Sequence, residues 1–180
     1  MSYQQDNRPF KEKYRIYIYP VVAALIITMF WRPTVANGDA MEPGIHDGQV
    51  IIITKEKYSE NRGYPKLGQV VAFVDDIAKA KVEGDNSIRR VVGLPGDKLY
   101  VKQGKLYRNG SLVKGGDTQG TLGVDMDPVT VGKEEVFVIS DDGRNTADSR
   151  NEKIGPVKMN LIRGKCSLIV WPIGDFGLIK

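Results

Sequence analysis

Acyl transfer by a serine-type mechanism needs a hydroxyl or thiol and a base that can take its proton, and this 180-residue chain has few residues for either role. It contains one histidine and one cysteine. A single cysteine excludes an internal disulfide framework and any cysteine-based zinc cluster, and no motif calls for a metal or a cofactor. His46 lies in the polar turn Ile45-His-Asp-Gly48, where a lone histidine is more often solvated than catalytic. Cys166 opens a strand-like apolar run and reads as a small buried hydrophobe. Ser87 ends Gly84-Asp-Asn-Ser87 and reads as a loop residue. Asp39 adjoins Ala40; if that segment is extended, the two side chains point to opposite sides. None of these forms a nucleophile–base pair.

The elements that would position such residues are short strands. Gln49–Thr54, Gln69–Phe73, Arg90–Gly93, Lys98–Lys102, Lys105–Arg108, Val136–Ser140 and Ser167–Trp171 are β-branched or alternating runs between Gly and Pro punctuation. Within Lys105–Val113, Asn109-Gly110 separates two short runs and marks a tight hairpin. Glu56–Leu67 and Lys114–Val131 are polar, Gly-containing connections. No long helical period follows residue 32, so the expected fold is mainly β, of coiled antiparallel sheets.

The charge is distributed unevenly. The formal charge is +4, from 26 Lys and Arg against 22 Asp and Glu; residues 1–32 hold five basic and two acidic residues, leaving 21 and 20 for the rest. A nucleic-acid-binding domain would carry its basic face in the folded part, so nucleic acid is excluded as a partner. Sixteen uncharged residues run from Ile16 to Trp31, between Arg15 and Arg32. As a helix they cover roughly 24 Å, short of a hydrocarbon core of about 30 Å, but both arginines can snorkel outward. The tyrosines at one end and Phe30-Trp31 at the other suit the two interfaces. The expected organisation is a cytoplasmic tail over residues 1–15, a transmembrane anchor over 16–31, and an extracytoplasmic β domain over 32–180. Arg8, Lys11, Lys13 and Arg15 keep the N-terminus inside by the positive-inside rule. A buried soluble helix is a rival reading, and so is a signal peptide cleaved after Thr34-Val35-Ala36; Arg32 and Pro33 count against cleavage.

Four ordered boxes carry a resemblance. They are Gly38-Asp-Ala-Met-Glu-Pro43 with Gly48-Gln-Val-Ile-Ile52; Leu67-Gly-Gln-Val-Val-Ala-Phe73; Ile88-Arg-Arg-Val-Val-Gly-Leu-Pro-Gly-Asp97 running on to Gly110; and Phe137-Val-Ile-Ser-Asp-Asp-Gly-Arg-Asn-Thr-Ala-Asp-Ser-Arg150. The set resembles the type I signal peptidases, in particular the Gram-positive members with one N-terminal anchor, over about residues 9–180. The resemblance implies cleavage of signal peptides from exported pre-proteins at the outer membrane face by a Ser-Lys dyad. It also implies a cleft that takes an extended peptide by strand addition.

Both dyad positions depart from that pattern. Ala40 stands at the nucleophile position and Arg89 at the base position. A methyl group cannot attack a carbonyl, and a guanidinium stays protonated. Gly44, Ser140 and Asp142 replace Thr, Gly and Asn, and Gln49 and Gln69 replace Asp in two Gly-Asp pairs. Gly38, Met41, Pro43, Asp148 and Arg150 match; Thr146 matches a serine that hydrogen-bonds near the lysine in the family, and the Asp148–Arg150 pair matches one that holds the catalytic loop. In the pocket that the resemblance gives to the lysine, the expected partners of the Arg89 guanidinium are Asp39, Asp142 or a partner's carboxylate. The resulting expectation is a catalytically degenerate, membrane-anchored member that binds exported proteins or assembly machinery; family analogy names pilus subunits or a sortase. The alternatives are an active signal peptidase with an unconventional dyad and, disfavoured by the anchor, a self-cleaving repressor.

Overall fold

The computed structural model describes residues 10–74, 86–113 and 125–179. Helix α1 (Phe10–Phe30) runs straight into strand β1 (Trp31–Val35). The strands that follow are β2 (Val50–Thr54), β3 (Val70–Val74), β4 (Asn86–Gly93), β5 (Lys98–Lys102), β6 (Lys105–Arg108), β7 (Ser111–Leu112), β8 (Met126–Thr130), β9 (Glu135–Ile139), β10 (Val157–Lys158), β11 (Ile162–Trp171) and β12 (Gly177–Leu178). The larger sheet has the order β1-β2-β11-β3-β4-β9-β10, with β12 on β11; the smaller has β7-β6-β5-β8. Neighbouring strands pair antiparallel throughout. The protein is mainly β.

Each of the seven expected strands is present, and two are longer than their sequence signal. β4 begins at Asn86, so Ser87 is a strand residue opposite Phe73 and not the loop residue expected. β11 begins at Ile162. β8 lies inside the expected connection Lys114–Val131. It is an edge strand with mostly exposed side chains, and an edge position tolerates Pro128; such a strand shows no apolar alternation. Residues 114–124 of that connection, and Gly84 and Asp85, are outside the described residues. Asn109 and Gly110 both have positive φ, 53° and 81°, as a two-residue type I′ hairpin requires.

The core follows from strand alternation. Ile51 and Ile53 of β2 pack with Met41, Ile45, Ala72, Ile88 and Cys166. β9 is buried on both faces: Val136 and Val138 join Val71, Phe73 and Val91, while Phe137 and Ile139 join Leu99, Val101 and Leu106. This strand therefore ties the two sheets together, and Phe137→Ala would cost about 3–5 kcal/mol. At the register shift in β11, a Cβ on Gly164 would lie 2.1 Å from the Thr54 carbonyl oxygen, so only glycine lets the two strands close.

The expected anchor is helical, but no helix among the described residues is long and apolar enough to cross a membrane. The sequence gives the reason: Lys11, Glu12, Lys13 and Arg15 occupy the first turns of α1, and Pro20 and three tyrosines dilute the rest. Ile16, Tyr17, Tyr19, Val21, Leu25 and Met29 are all exposed. The helix end is joined to the sheet by Lys55, whose Nζ donates to the carbonyls of Thr28 (3.1 Å) and Met29 (2.6 Å) and whose backbone N–H donates to Phe30 (2.9 Å). A cation on the last carbonyls of a helix satisfies them and complements the dipole.

Candidate active-site cleft

Beyond β1, the ladder with β2 continues through Ala36, whose N–H donates to Gln49 O (2.8 Å) and whose carbonyl accepts from Gly48 (2.9 Å). The chain then bends at Gly38, whose φ of +81° suits glycine, and Gly38 N–H donates to Asp47 Oδ1 (2.7 Å). Residues 39–45 form turns held by Glu42 N–H to Asp39 O (3.0 Å) and Ile45 N–H to Met41 O (2.9 Å). The segment is thus not extended at Asp39-Ala40, and strand alternation does not set where Asp39 points. Asp39 is exposed, with Oδ1 accepting from Asn145 Nδ2 (3.3 Å).

Ala40 is buried at 5% exposure, and Asp142 N–H donates to its carbonyl (3.1 Å), linking this turn to the loop after β9. Ala36, Asn37, Gly38, Ala40 and Met41, with Ile45, line a cavity of about 130 Å³; Asn86, Ser87, Ile88 and Arg89 of β4 line it too. The positions of the expected nucleophile and base therefore share one cavity. Pairing of β4 with β9 begins at Arg90, so no described strand pairs with Asn86–Arg89 on that side.

Arg89 is 8% exposed. Its Nε and Nη2 donate to the Ala147 carbonyl at 3.0 and 2.7 Å, and Nη1 donates to the Ile88 carbonyl at 2.6 Å. Asp142 is paired with Arg144, which donates through its backbone N–H (3.0 Å), Nε (3.0 Å) and Nη2 (2.9 Å). Those hydrogen bonds hold Asp142 below the usual carboxylate range. Thr146 is exposed and does not line the cavity; the acceptor for Arg89 is the carbonyl of the next residue. Pro43 is exposed, and Asp39, Asp142, Asp148 and Arg150 are also outside the cavity lining.

Two further Asp–Arg pairs organise the loop after β9. Asp148, fully buried, accepts from Ser140 N–H (2.8 Å), and from Arg150 through its N–H (3.0 Å), Nε (2.9 Å) and Nη2 (2.6 Å). Arg150 also donates to the carbonyls of Gly143 (2.8 Å) and Asn145. The second pair escaped the sequence reading: Arg90 donates to Asp141 through Nε (2.8 Å) and Nη2 (2.5 Å), and to Gly68 O through Nη1 (2.8 Å). Adjacent strand residues face opposite ways, so Ile88-Arg-Arg90 contained the signal that only one arginine faces the cavity, but not that Asp141 meets the other. Ser140 Oγ is buried with no hydrogen-bond partner among the described residues.

Gln49 and Gln69 do similar work in their turns. Each accepts from the backbone N–H three residues earlier, His46 or Lys66, at 3.0 Å. Each also donates through its amide, Gln49 to Asp175 Oδ2 (2.7 Å) and Gln69 to the Tyr58 hydroxyl. A carboxylate could only accept. His46 is exposed, with Nδ1 2.5 Å from Glu42 Oε2, and does not line the cavity. Cys166 is buried in the core, and burial pushes its thiol up to about 12.

Comparison with known proteins gives consistent matches. The family model for signal peptidase, peptidase S26, matches residues 11–171. A signal peptidase I of Bacillus amyloliquefaciens is 32% identical, covering 92% of this chain and 89% of that protein. A probable signal peptidase I-2 of Synechocystis is 31% identical, covering 88% and 74%. A crystal structure of a signal peptidase I from Enterococcus faecalis aligns with a TM-score of 0.47 at 21% identity, covering 58% of this chain and 97% of that one. With the family model matching from within α1 to the end of β11, and relatives aligned over most of both lengths, this chain belongs to the peptidase S26 signal peptidase family.

Proposed function

We propose that this member of the family is inactive as a peptidase and works by binding. Its ligand is an exported protein, or a peptide segment of one, held extended in the cleft between Ala36–Met41 and Asn86–Arg89. The observation that carries the proposal is the chemistry of the shared cavity: a methyl group at Ala40 and a guanidinium at Arg89 provide neither a nucleophile nor a proton acceptor. The edge of β4 over Asn86–Arg89 offers backbone groups to a peptide by strand addition. The place of action is the outer face of the membrane, with α1 as the tether and its N-terminus inside. The exposed apolar side chains of α1, and exposed Trp171, Ile173, Phe176 and Leu178, support contact with lipid. Pilus subunits and sortases are the partners that family analogy puts forward.

The test is to incubate the purified full chain with a pre-protein and with its signal peptide. Retention of the peptide without cleavage is the expected result. Turnover that survives both Asp39→Ala and His46→Ala would overturn the proposal and establish instead the activity for which the relatives are named.

A further inference from the structure

The geometry points to a second interaction surface, the outer face of the smaller sheet, which docks an acidic, extended segment of a partner polypeptide. The segment carries two carboxylates at positions i and i+4 and an apolar side chain midway between them. This surface is apart from the cavity, whose lining includes no residue of β5, β6, β7 or β8, so the inference goes beyond the reading above and does not depend on it.

Alternation assigns the two faces of β5 and β6. Leu99, Val101 and Leu106 are buried in a cluster with Phe137 and Ile139, whereas Lys98, Tyr100, Lys102, Lys105 and Tyr107 occupy the other face and are exposed or half-buried. Tyr100 and Tyr107 are cross-strand partners whose rings stack, with centroids 4.9 Å apart and an interplanar angle of 5°. Leu112, exposed, lies opposite Tyr107 on β7. An apolar strip therefore crosses the middle of the face, with Lys98 on one side of it and Lys102 and Lys105 on the other.

The sheet does not neutralise these lysines. Asp127 is the one acid in its four strands, against Lys98, Lys102, Lys105 and Arg108, and none of the three lysines forms an ion pair among the described residues. The acids nearest in sequence are engaged elsewhere: Asp97 accepts from Leu94 N–H (2.9 Å) and Asn109 Nδ2 (2.7 Å), and Asp125 from Gly104 N–H (3.4 Å). Lys102 and Lys105 also stand directly opposite each other, flanking the two-residue turn Gln103-Gly104, whose positive φ values of 52° and 67° fix the register. Like charges in that position repel, and a carboxylate set between them relieves the repulsion. Lys98 and Lys102 are four residues apart on one strand, about 14 Å. Residues i and i+4 of an extended peptide span the same distance and put residue i+2 on the same side, over the tyrosines. Pro128 lacks an N–H and blunts the β8 edge, which favours docking on the face over strand addition there.

The test uses the full chain in detergent and fluorescence anisotropy of N-terminally labelled, C-terminally amidated peptides. The probe is Thr-Asp-Thr-Phe-Thr-Asp-Thr; one control has Asn in place of both Asp, and another has the same composition with the two Asp adjacent. The probe is expected to bind about fivefold more tightly than the Asn form, as two solvent-exposed ion pairs would give, and more tightly than the rearranged form, with the advantage shrinking as salt is raised. Lys102→Gln with Lys105→Gln, both at exposed positions and checked for folding by near-ultraviolet circular dichroism, should abolish the preference for Asp over Asn. Persistence of that preference in the double variant overturns the assignment to this face. Equal binding of the Asp and Asn forms, or binding of neither, overturns the acidic partner, and equal binding of the rearranged form overturns the extended arrangement. Vesicles containing phosphatidylglycerol that bind through the same lysines where no peptide does would give the face to an anionic lipid surface and overturn the polypeptide partner.

Discussion

Arg89 and Ala147 are joined by a two-pronged contact: one carbonyl oxygen accepts from both Nε and Nη2 of the same guanidinium. The bond runs from β4 to the loop after β9, so the residue at the expected base position braces that loop. A lysine ammonium is a point charge without the fork and would not reproduce the brace. Arg89 therefore combines two properties, a permanent charge in the cavity and a fixed connection to the Asp148–Arg150 loop.

Rebuilding a dyad calls for two changes. Ala40→Ser alone is expected to give no cleavage of a signal-peptide substrate, because the adjacent Arg89 stays protonated and cannot accept the serine proton. Ala40→Ser with Arg89→Lys supplies both groups, and burial of the lysine lowers its pKa toward a usable range. Weak but measurable cleavage by the double variant, followed by mass spectrometry of the products, is expected. Cleavage by Ala40→Ser alone would show that another base serves the cavity.

The scaffold was far more legible in sequence than the contacts of the site. The runs at β2, β5, β6 and β9 are short, apolar and bounded by turns, so local chemistry decides them. β8 was missed because an edge strand need not alternate. The place of Ser87 just before the third box suggests a loop, whereas pairing with Phe73 decides its conformation. Ala40 and Arg89 stood out by type alone. That Asp142 pairs with Arg144, and Arg90 with Asp141 across 51 positions, depends on tertiary packing that no local pattern encodes.

The Arg90–Asp141 pair is expected to be a sensitive polar contact in the domain. Both side chains are about nine-tenths buried and meet through two hydrogen bonds. Removing one partner of a buried pair leaves an uncompensated charge and typically costs about 3–5 kcal/mol. Arg90→Met should lower stability by that order in urea denaturation, and Arg90→Met with Asp141→Leu should recover much of it. An Arg90→Met loss below about 1 kcal/mol would show that Asp141 is satisfied by other groups.

The Asp142–Arg144 pair predicts a pH dependence. Hydrogen bonds from Arg144 lower the Asp142 pKa in the folded state. The contribution is therefore complete above the unfolded carboxylate pKa of about 3.9 and is lost as pH falls through the lower folded value. In denaturation at a series of pH values, the native chain should lose this contribution below about pH 4, and Asp142→Asn should lack that part of the loss. Parallel stability curves for the two proteins across that range would contradict the assignment.

Cys166 should report on opening of the core between β2 and β11. Its thiol is 1% exposed, packs with Ile51 and Ile53, and is pushed up to about 12 by burial. Since the thiolate is the reactive form, the folded protein should resist maleimide labelling at pH 8 even over long incubation. In urea, labelling should rise together with unfolding followed by circular dichroism, because exposing the thiol requires separating two neighbouring strands of the larger sheet. Fast labelling under native conditions would mean that β2 and β11 part locally without global unfolding, and the sheet that carries the Ala40 turn would then be less rigid than its packing indicates.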